Sequence, residues 1–147
     1  MRSARYFTTP IYYVNDAPHI GHIFSTLLAD IGARTAQLEN QEKFLLTGTD
    51  EHSMKVIDAA QARGVPVEDW AQKNANAFRH TFTVFNIGFD DFIRTSEPRH
   101  KINVHKRIEQ LMATGDVYLG EYIGWYDAGQ EEYVPDAKAK QLFLIHI

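Results

Sequence analysis

The 147-residue chain contains no cysteine, which excludes disulfide bonds and thiolate metal sites and suits a reducing compartment. No apolar run approaches the roughly 20 residues that a membrane-spanning helix needs, so no membrane partner is expected. An excess of basic residues is also lacking, because the net charge is −4, and no bulk field favours nucleic acid. The first residues lead straight into a strand-like segment and leave no room for a signal or transit peptide, which predicts a cytoplasmic protein.

What is present is the composition and length of one globular domain, with 44% hydrophobic and 23% charged residues. β-branched and aromatic residues predict a strand over 5–14 that ends or bulges at Pro10. Short apolar segments predict two further strands, at 43–47 and 89–95.

Apolar residues at helical spacing predict four helices. The first covers residues 21–38 and carries Phe24, Leu27, Leu28, Ile31 and Leu38. The second follows Glu51, and the third follows Pro66 with a core-facing stripe of Ala71, Ala75, Phe78, Phe82 and Phe85. The fourth is expected to be capped by Ser96 and to turn Val104, Ile108, Leu111 and Met112 inward. The basic run from Arg99 to Arg107 is either its solvated face or a local nucleic-acid patch.

This alternation predicts an α/β fold with a doubly wound parallel sheet, whose ligands bind beyond the carboxyl ends of the strands. After Asp116 the pattern changes to short strands around glycines, predicted as antiparallel at 117–122 and 125–134. We therefore expect a first domain over residues 1–115 and the start of a small antiparallel β insertion over 116–147.

The segment Pro18 to His22 joins the first strand to the first helix. Gly21 allows a ligand to approach the backbone, and the helix offers free N–H groups and the positive end of its dipole. His19 and His22 add donors for an anion. A metal pair and a simple histidine cap of the turn are the alternatives.

The segment Thr47 to His52 joins the second strand to the second helix and carries two carboxylates and an imidazole. Either the segment is a plain helix cap with favourable charges, or one of its carboxylates holds a substrate ammonium. The aromatic stretch from Pro10 to Tyr13 is either core or the wall of a side-chain pocket beside that carboxylate.

Three segments together closely resemble the methionyl-tRNA synthetase family of class I. They are residues 6–15, 18–22 and 47–52, and residues 89–95 and 115–118 fit the same family. The resemblance covers residues 5–135 and implies the first half of a Rossmann-like catalytic domain followed by a truncated connective-peptide insertion.

The resemblance implies activation of L-methionine by ATP to methionyl-adenylate and its transfer to tRNA(Met). His19 and His22 would be catalytic, stabilising charge on the α-phosphate. The other implied roles are ATP binding by Tyr12, Asn15 and Gly21, and methionine binding by Ile11, Tyr13, Asp50 and His52. Mg²⁺ would accompany ATP.

Three departures from the family pattern stand out. Ser53 occupies a position where the family usually has glycine. Asp127 and Gln130 stand where many members have the cysteines of a zinc knuckle, so no zinc and no resident metal are predicted. The second catalytic half, its K-M-S-K-S loop and the anticodon-binding domain are absent from the 147 residues. We therefore expect little or no activity, and doubtful tRNA binding, from this chain alone.

Two alternatives remain open at this point. A non-catalytic nucleotide- or amino-acid-binding remnant of a synthetase would keep the site residues without turnover. A small adenylyltransferase that also uses H-x-G-H would need a second phosphate-binding motif near the C-terminus, and none is evident.

Overall fold

The computed structural model describes residues 4–127, 129–135 and the backbone of 145–146. The chain divides into two compact units, Met1–Val104 and His105–Ile147. Of the predicted insertion at 116–147, residues 128, 136–144 and 147 lie outside the described part. The strands are β1 (Ala4–Thr8), β2 (Tyr12–Tyr13), β3 (Glu42–Asp50), β4 (Asp91–Arg94), β5 (Trp125–Asp127), β6 (Glu132–Val134) and β7 (Ile145–His146). The helices are α1 (Ile20–Leu38), α2 (Met54–Gln61), α3 (Val67–Val84) and α4 (Pro98–Thr114).

β3 is the central strand of a parallel sheet. Its Leu46 aligns with Thr8 on one side and with Asp91 on the other. Thr49 likewise lies between β2 and β4. β1 and β2 are therefore two pieces of one extended segment, interrupted near Pro10 as predicted. Parallel strands joined by helices confirm the α/β class.

β3 continues three residues beyond the predicted end at Thr47 because its polar residues are buried and hydrogen-bonded. The hydroxyl of Thr47 lies 2.7 Å from that of Thr9. The hydroxyl of Thr49 donates to Glu51 at 2.9 Å. Because these hydroxyls have hydrogen-bond partners, they can be buried in the core. Residues whose types are typical of a turn therefore continue the strand.

α3 supplies much of the core beside the sheet. Phe78 and Phe82 are fully buried, and the ring of Tyr12 stacks on Phe78 with centroids 5.6 Å apart. The predicted inward stripe is confirmed except at its last member, since Phe85 follows the end of the helix and is exposed.

Most buried residues of α1 are small or polar, although Ile23 is buried and Leu27 is partly buried against the core. The buried residues of the helix are Ile23, Thr26, Asp30, Ala33 and Ala36. Small side chains bring helix and sheet close together: a Cβ on Gly32 would lie 2.9 Å from the ring of Phe7. The four large residues Phe24, Leu28, Ile31 and Leu38 are consequently exposed in the described structure.

The expectations for the fourth helix were partly wrong. No residue of α4 is buried among the described residues, so the inward face predicted for Val104, Ile108, Leu111 and Met112 is not observed. Ser96 does not cap this helix either, because its hydroxyl donates to Glu51 and the first helical amide bonds reach the carbonyl of Glu97.

The second unit contains an antiparallel sheet in the order β6-β5-β7. Antiparallel pairing of β5 with β6 confirms the expectation for residues 125–134. The strand expected at 117–122 is not formed, since those residues are irregular. Every helix in the described part is too short or too polar to cross a membrane.

Candidate active site

The first part of the site is the N-terminus of α1, which its own histidines cap. His19 is the N-cap residue, and its Nδ1 accepts the amide of Gly21 at 3.1 Å. Nδ1 of His22 in turn accepts the amide of His19 at 3.1 Å. This is a capping box in which imidazoles replace the usual hydroxyl and carboxylate.

These two hydrogen bonds determine where each ring carries its proton. A neutral imidazole whose Nδ1 accepts must be protonated at Nε2. The two rings are stacked with centroids 3.8 Å apart. A Cβ on Gly21 would lie 3.0 Å from Cε1 of His19, so glycine leaves room for that ring. The turn therefore presents two Nε2–H donors next to the helix N-terminus.

His22 is held from below by aromatic residues. Its ring lies 4.8 Å from Tyr12 and 5.0 Å from Phe78, measured between centroids. Burial, and then the neighbouring His19, lower the pKa of His22 below its usual value. The ring is thus a neutral hydrogen-bond donor near pH 7 in the ligand-free protein.

Tyr12 and Asn15, both predicted to bind ATP, lie in very different places. Tyr12 is buried, and its hydroxyl lies 3.0 Å from Ser25 Oγ and 2.9 Å from Thr26 Oγ1. It therefore supports His22 and α1 from within the core. Asn15 is exposed in the loop between β2 and α1.

The second part of the site lies where β2 and β3 end together. Tyr13 aligns with Asp50, so their side chains leave the same face of the sheet. Ile11, which precedes β2, is 40% exposed. The aromatic ring, the aliphatic side chain and the carboxylate are thus presented at one sheet edge.

Asp50 is oriented by its neighbours. Its Oδ1 accepts the amide of His52 at 3.2 Å and faces the Thr95 hydroxyl at 3.4 Å. The His52 ring points elsewhere: its Nε2 lies 3.3 Å from the carbonyl of Thr95. That ring lines a cavity of about 470 Å³, which Arg94 and Lys101 also line.

Glu51, the second carboxylate of the segment, is buried in an ion pair with Arg94. Oε1 accepts Arg94 Nε at 2.7 Å, and Oε2 accepts Arg94 Nη2 at 2.9 Å. The hydroxyls of Ser96 and Thr49 also donate to it, at 2.5 and 2.9 Å. Burial alone would raise the pKa of Glu51, but these donors outweigh burial and lower it. Glu51 is therefore held in an ion pair at the wall of the cavity that Arg94 also lines.

The partners of these carboxylates, Arg94, Thr95 and Ser96, were not predicted as site residues. They follow Asp50 by more than 40 positions and lie at the end of β4, which pairs with β3. The carboxyl ends of parallel strands meet at one edge of a sheet. The end of the strand predicted at residues 89–95 was therefore the sequence signal that could have identified them.

Comparisons with known proteins agree on one family. The model of the family described as "tRNA synthetases class I (M)" matches residues 5–142. Methionine–tRNA ligase of Listeria monocytogenes is 41% identical over 138 residues, which is 94% of this chain and 21% of that protein. A probable mitochondrial methionine–tRNA ligase of Dictyostelium discoideum is 44% identical over 129 residues, 88% of this chain and 22% of that protein.

This chain belongs to the class I methionyl-tRNA synthetases. The structure of Mycobacterium tuberculosis methionyl-tRNA synthetase in complex with methionyl-adenylate matches with a TM-score of 0.87 and 38% identity. The match covers 92% of this chain and 26% of that one. The chain thus spans about a fifth to a quarter of the relatives' length, and both the family and the Rossmann-like fold expected from the sequence are confirmed.

The positions that depart from the synthetase pattern have local roles in the structure. Ser53 is buried at the start of α2, and its Oγ has no hydrogen-bond partner among the described residues. Asp127 closes the turn after β5, since its Oδ1 accepts the amides of Gly129 and Gln130 at 2.9 and 3.1 Å. The described residues include no group of three or more histidine, aspartate or glutamate side chains placed to hold a metal ion.

Proposed function

We propose that this chain carries the ATP and methionine contacts of a methionine–tRNA ligase, which activates L-methionine as methionyl-adenylate. The observation that supports this most strongly is the capping box of His19 and His22. It leaves both Nε2–H groups at a helix N-terminus with no acceptor among the described residues, beside the edge where Asp50 and Tyr13 end their strands.

In the proposed reaction, a carboxylate oxygen of methionine attacks the α-phosphorus of ATP. The bond to the β-phosphate oxygen breaks, and pyrophosphate leaves with that electron pair. Negative charge grows on the α-phosphate oxygens at the transition state, where His19 and His22 donate from Nε2 and the amides of α1 contribute the helix dipole. No covalent bond to the protein forms, so catalysis consists of positioning and electrostatic stabilisation.

Methionine recognition falls to the edge formed by β2 and β3. Oδ2 of Asp50 accepts no hydrogen bond from the described residues and is available to the substrate ammonium. Ile11 and Tyr13 offer aliphatic and aromatic surface to the thioether, whose polarizable sulfur packs well against rings. His52 acts on this pocket indirectly, through its backbone amide on Asp50.

The remaining parts of the proposal concern partners. ATP enters as its Mg²⁺ complex, since Mg²⁺ is held largely by the phosphates of such substrates. The adenylate then passes methionine to a terminal ribose hydroxyl of tRNA(Met), releasing AMP. A cytoplasmic location and a domain boundary near residue 115 complete the proposal.

The first experiment is calorimetric titration of L-methionine into the 147-residue chain, with and without ATP and Mg²⁺. Wild type is compared with Asp50→Ala and with the matched control Asp58→Ala, which removes an exposed carboxylate from α2. We expect saturable binding that weakens at least about tenfold in Asp50→Ala, because a charge-assisted contact to the ammonium is lost.

Binding that is unchanged in Asp50→Ala contradicts the assigned role of this carboxylate. A folded chain that binds methionine and ATP but shows no methionine-dependent pyrophosphate exchange supports the non-catalytic alternative instead. Exchange that Asp50→Ala abolishes overturns our expectation that the chain alone is inactive and establishes the activation step.

A further inference from the structure

Thr95 has every polar group tied to the segment that carries Asp50. Its amide donates to the carbonyl of Thr49 at 3.2 Å, and its carbonyl faces Nε2 of His52 at 3.3 Å. Its hydroxyl oxygen accepts the amide of Glu51 at 2.8 Å. Thr95 is also buried, with 7% of its surface exposed. Hydrogen bonds from one residue to three positions of a neighbouring segment fix the path of that segment.

Among the described residues, the hydroxyl of Thr95 has a hydrogen-bond acceptor in Asp50. Because the oxygen receives the Glu51 amide, the proton is free to point at Oδ1 of Asp50, 3.4 Å away. The amide of His52 donates to the same oxygen at 3.2 Å. One carboxylate oxygen is thereby held from two sides, whereas Oδ2 accepts nothing from the described residues.

Asp50, Glu51 and Thr95 form a corner where β3 and β4 end. The close pairing of these two strands and an adjacent ion pair hold this corner in place. Gly48 lets β3 and β4 approach so closely that a Cβ there would lie 2.0 Å from the carbonyl oxygen of Ile93. The bidentate pair of Arg94 with Glu51 then fastens the residue before Thr95 to the residue after Asp50. Side-chain exposures of 16% and 2% show that this pair is shielded from water.

We propose that Thr95 is a positioning residue that holds the Asp50 carboxylate in the rotamer that receives the substrate's ammonium group. The inference rests on the proposed function for its link to methionine, but the effect on Asp50 itself is independent of any ligand. Through its effect on Asp50, the end of β4 contributes to the selectivity for ligands that carry an amino group.

The ligand-free test is NMR measurement of three-bond couplings across χ1 of Asp50. We expect a single rotamer in wild type and in Thr95→Ser, and rotamer averaging in Thr95→Val, which lacks the hydroxyl. Ser96→Ala is the matched control, since it removes a hydroxyl of the same loop that serves Glu51 rather than Asp50. Thr95→Ala leaves space for water at the Glu51 amide and replaces the valine variant if that one does not fold.

The ligand test compares L-methionine with its deaminated analogue, 4-(methylsulfanyl)butanoate. Thr95→Val is expected to weaken L-methionine binding roughly five- to twentyfold, the loss of about one hydrogen bond's contribution. The analogue, which lacks the ammonium, should change less than about twofold, and Thr95→Ser should restore wild-type selectivity.

The outcomes separate the two proposals. Unchanged Asp50 couplings in the variants without the hydroxyl overturn the positioning role, whether or not methionine binds. Equal weakening of both ligands also overturns it, because a general structural defect does not select for the ammonium. Wild type that shows the expected couplings but no Asp50-dependent methionine binding leaves Thr95 as a positioning residue and refutes the proposed function.

Discussion

The histidine pair of α1 and the carboxylate corner after β3 are held in place by different kinds of interaction. The hydrogen bonds that orient the histidines join them to backbone amides within four residues, on a partly exposed turn, and His22 also packs on the rings of Tyr12 and Phe78. The carboxylates accept local hydrogen bonds from Thr49 and His52, and they also depend on side chains more than 40 residues away at the end of β4. A site of the first kind is built by a short stretch of chain, whereas the second exists only after β3 and β4 have paired.

This difference predicts that the two parts respond differently to substitution. Losing a contact at the α1 turn removes one cap from a helix that packing still supports. Losing a contact in the corner leaves a buried charge without its partner, which is far more costly. Stability and ligand binding should therefore be separable at the histidines and closely coupled at the corner.

The largest effect is expected from Arg94→Met, which removes the cation and keeps an apolar side chain of similar length. It leaves the Glu51 carboxylate buried and unpaired, so the free energy of unfolding should fall by about 3–5 kcal/mol. Urea denaturation measures the change. Arg107→Met, at an exposed position of α4, should shift it by less than about 0.5 kcal/mol.

A double replacement of Arg94 by Met and Glu51 by Leu sharpens this prediction. Removing both charges should recover part of the stability lost in Arg94→Met, because no uncompensated carboxylate remains. If Arg94→Met alone unfolds at the wild-type urea concentration, the corner is not held by this ion pair and the contrast with the histidine turn is refuted.

The same contrast explains what could be predicted from the sequence. The strand–turn–helix at Pro18 to His22 predicted two donors at a helix N-terminus, because its hydrogen bonds join near neighbours. Asp50 was predicted in the turn between the second strand and the second helix, and it is the last residue of β3 in the structure. The contacts of Arg94 and Thr95 with the carboxylates could not be predicted, because a local sequence pattern does not show which strands are adjacent or which side chains share a face.

The helix over residues 21–38 was predicted, but the face through which it packs could not be, for a related reason. Helical periodicity identified the large apolar residues Phe24, Leu28 and Ile31, but the helix packs on the sheet through Ala33 and Ala36. Periodicity reports where apolar residues lie on a helix, and it does not report how close the neighbouring sheet must come. Close packing on Phe7 selects the small face for the sheet.

An intermediate effect is expected at the N-cap of α1. His19→Ala removes the acceptor for the Gly21 amide and should lower the free energy of unfolding by about 1 kcal/mol. His19→Asn should retain most of that stability, because asparagine is a favoured N-cap residue. Both variants lack the Nε2–H donor, so both should weaken ATP binding to a similar degree in calorimetric titration.

The pair of variants thus separates the cap from the ligand contact at one position. An asparagine variant as unstable as the alanine variant would show that the cap does not depend on this acceptor. An asparagine variant that binds ATP like wild type would remove His19 from the nucleotide contacts.

The smallest effect concerns the pH dependence of stability at His22. Its pKa in the folded protein lies below the usual value of 6.5, because burial and His19 both disfavour the charged ring. As the pH falls through 6.5, the unfolded chain takes up a proton before the folded chain does. The free energy of unfolding therefore decreases across that window, and this contribution is fully present only above it.

His22→Asn should reduce this loss of stability between pH 7 and pH 5, since asparagine does not titrate and its side-chain oxygen can still accept the His19 amide. Urea denaturation at the two pH values measures it, with His80→Asn on an exposed turn of α3 as the matched control. If all three proteins lose the same amount, His22 is not shielded by Tyr12 and Phe78. If only His22→Asn is less sensitive, the aromatic support beneath the ring keeps it neutral, as donation from Nε2 with Nδ1 as acceptor requires.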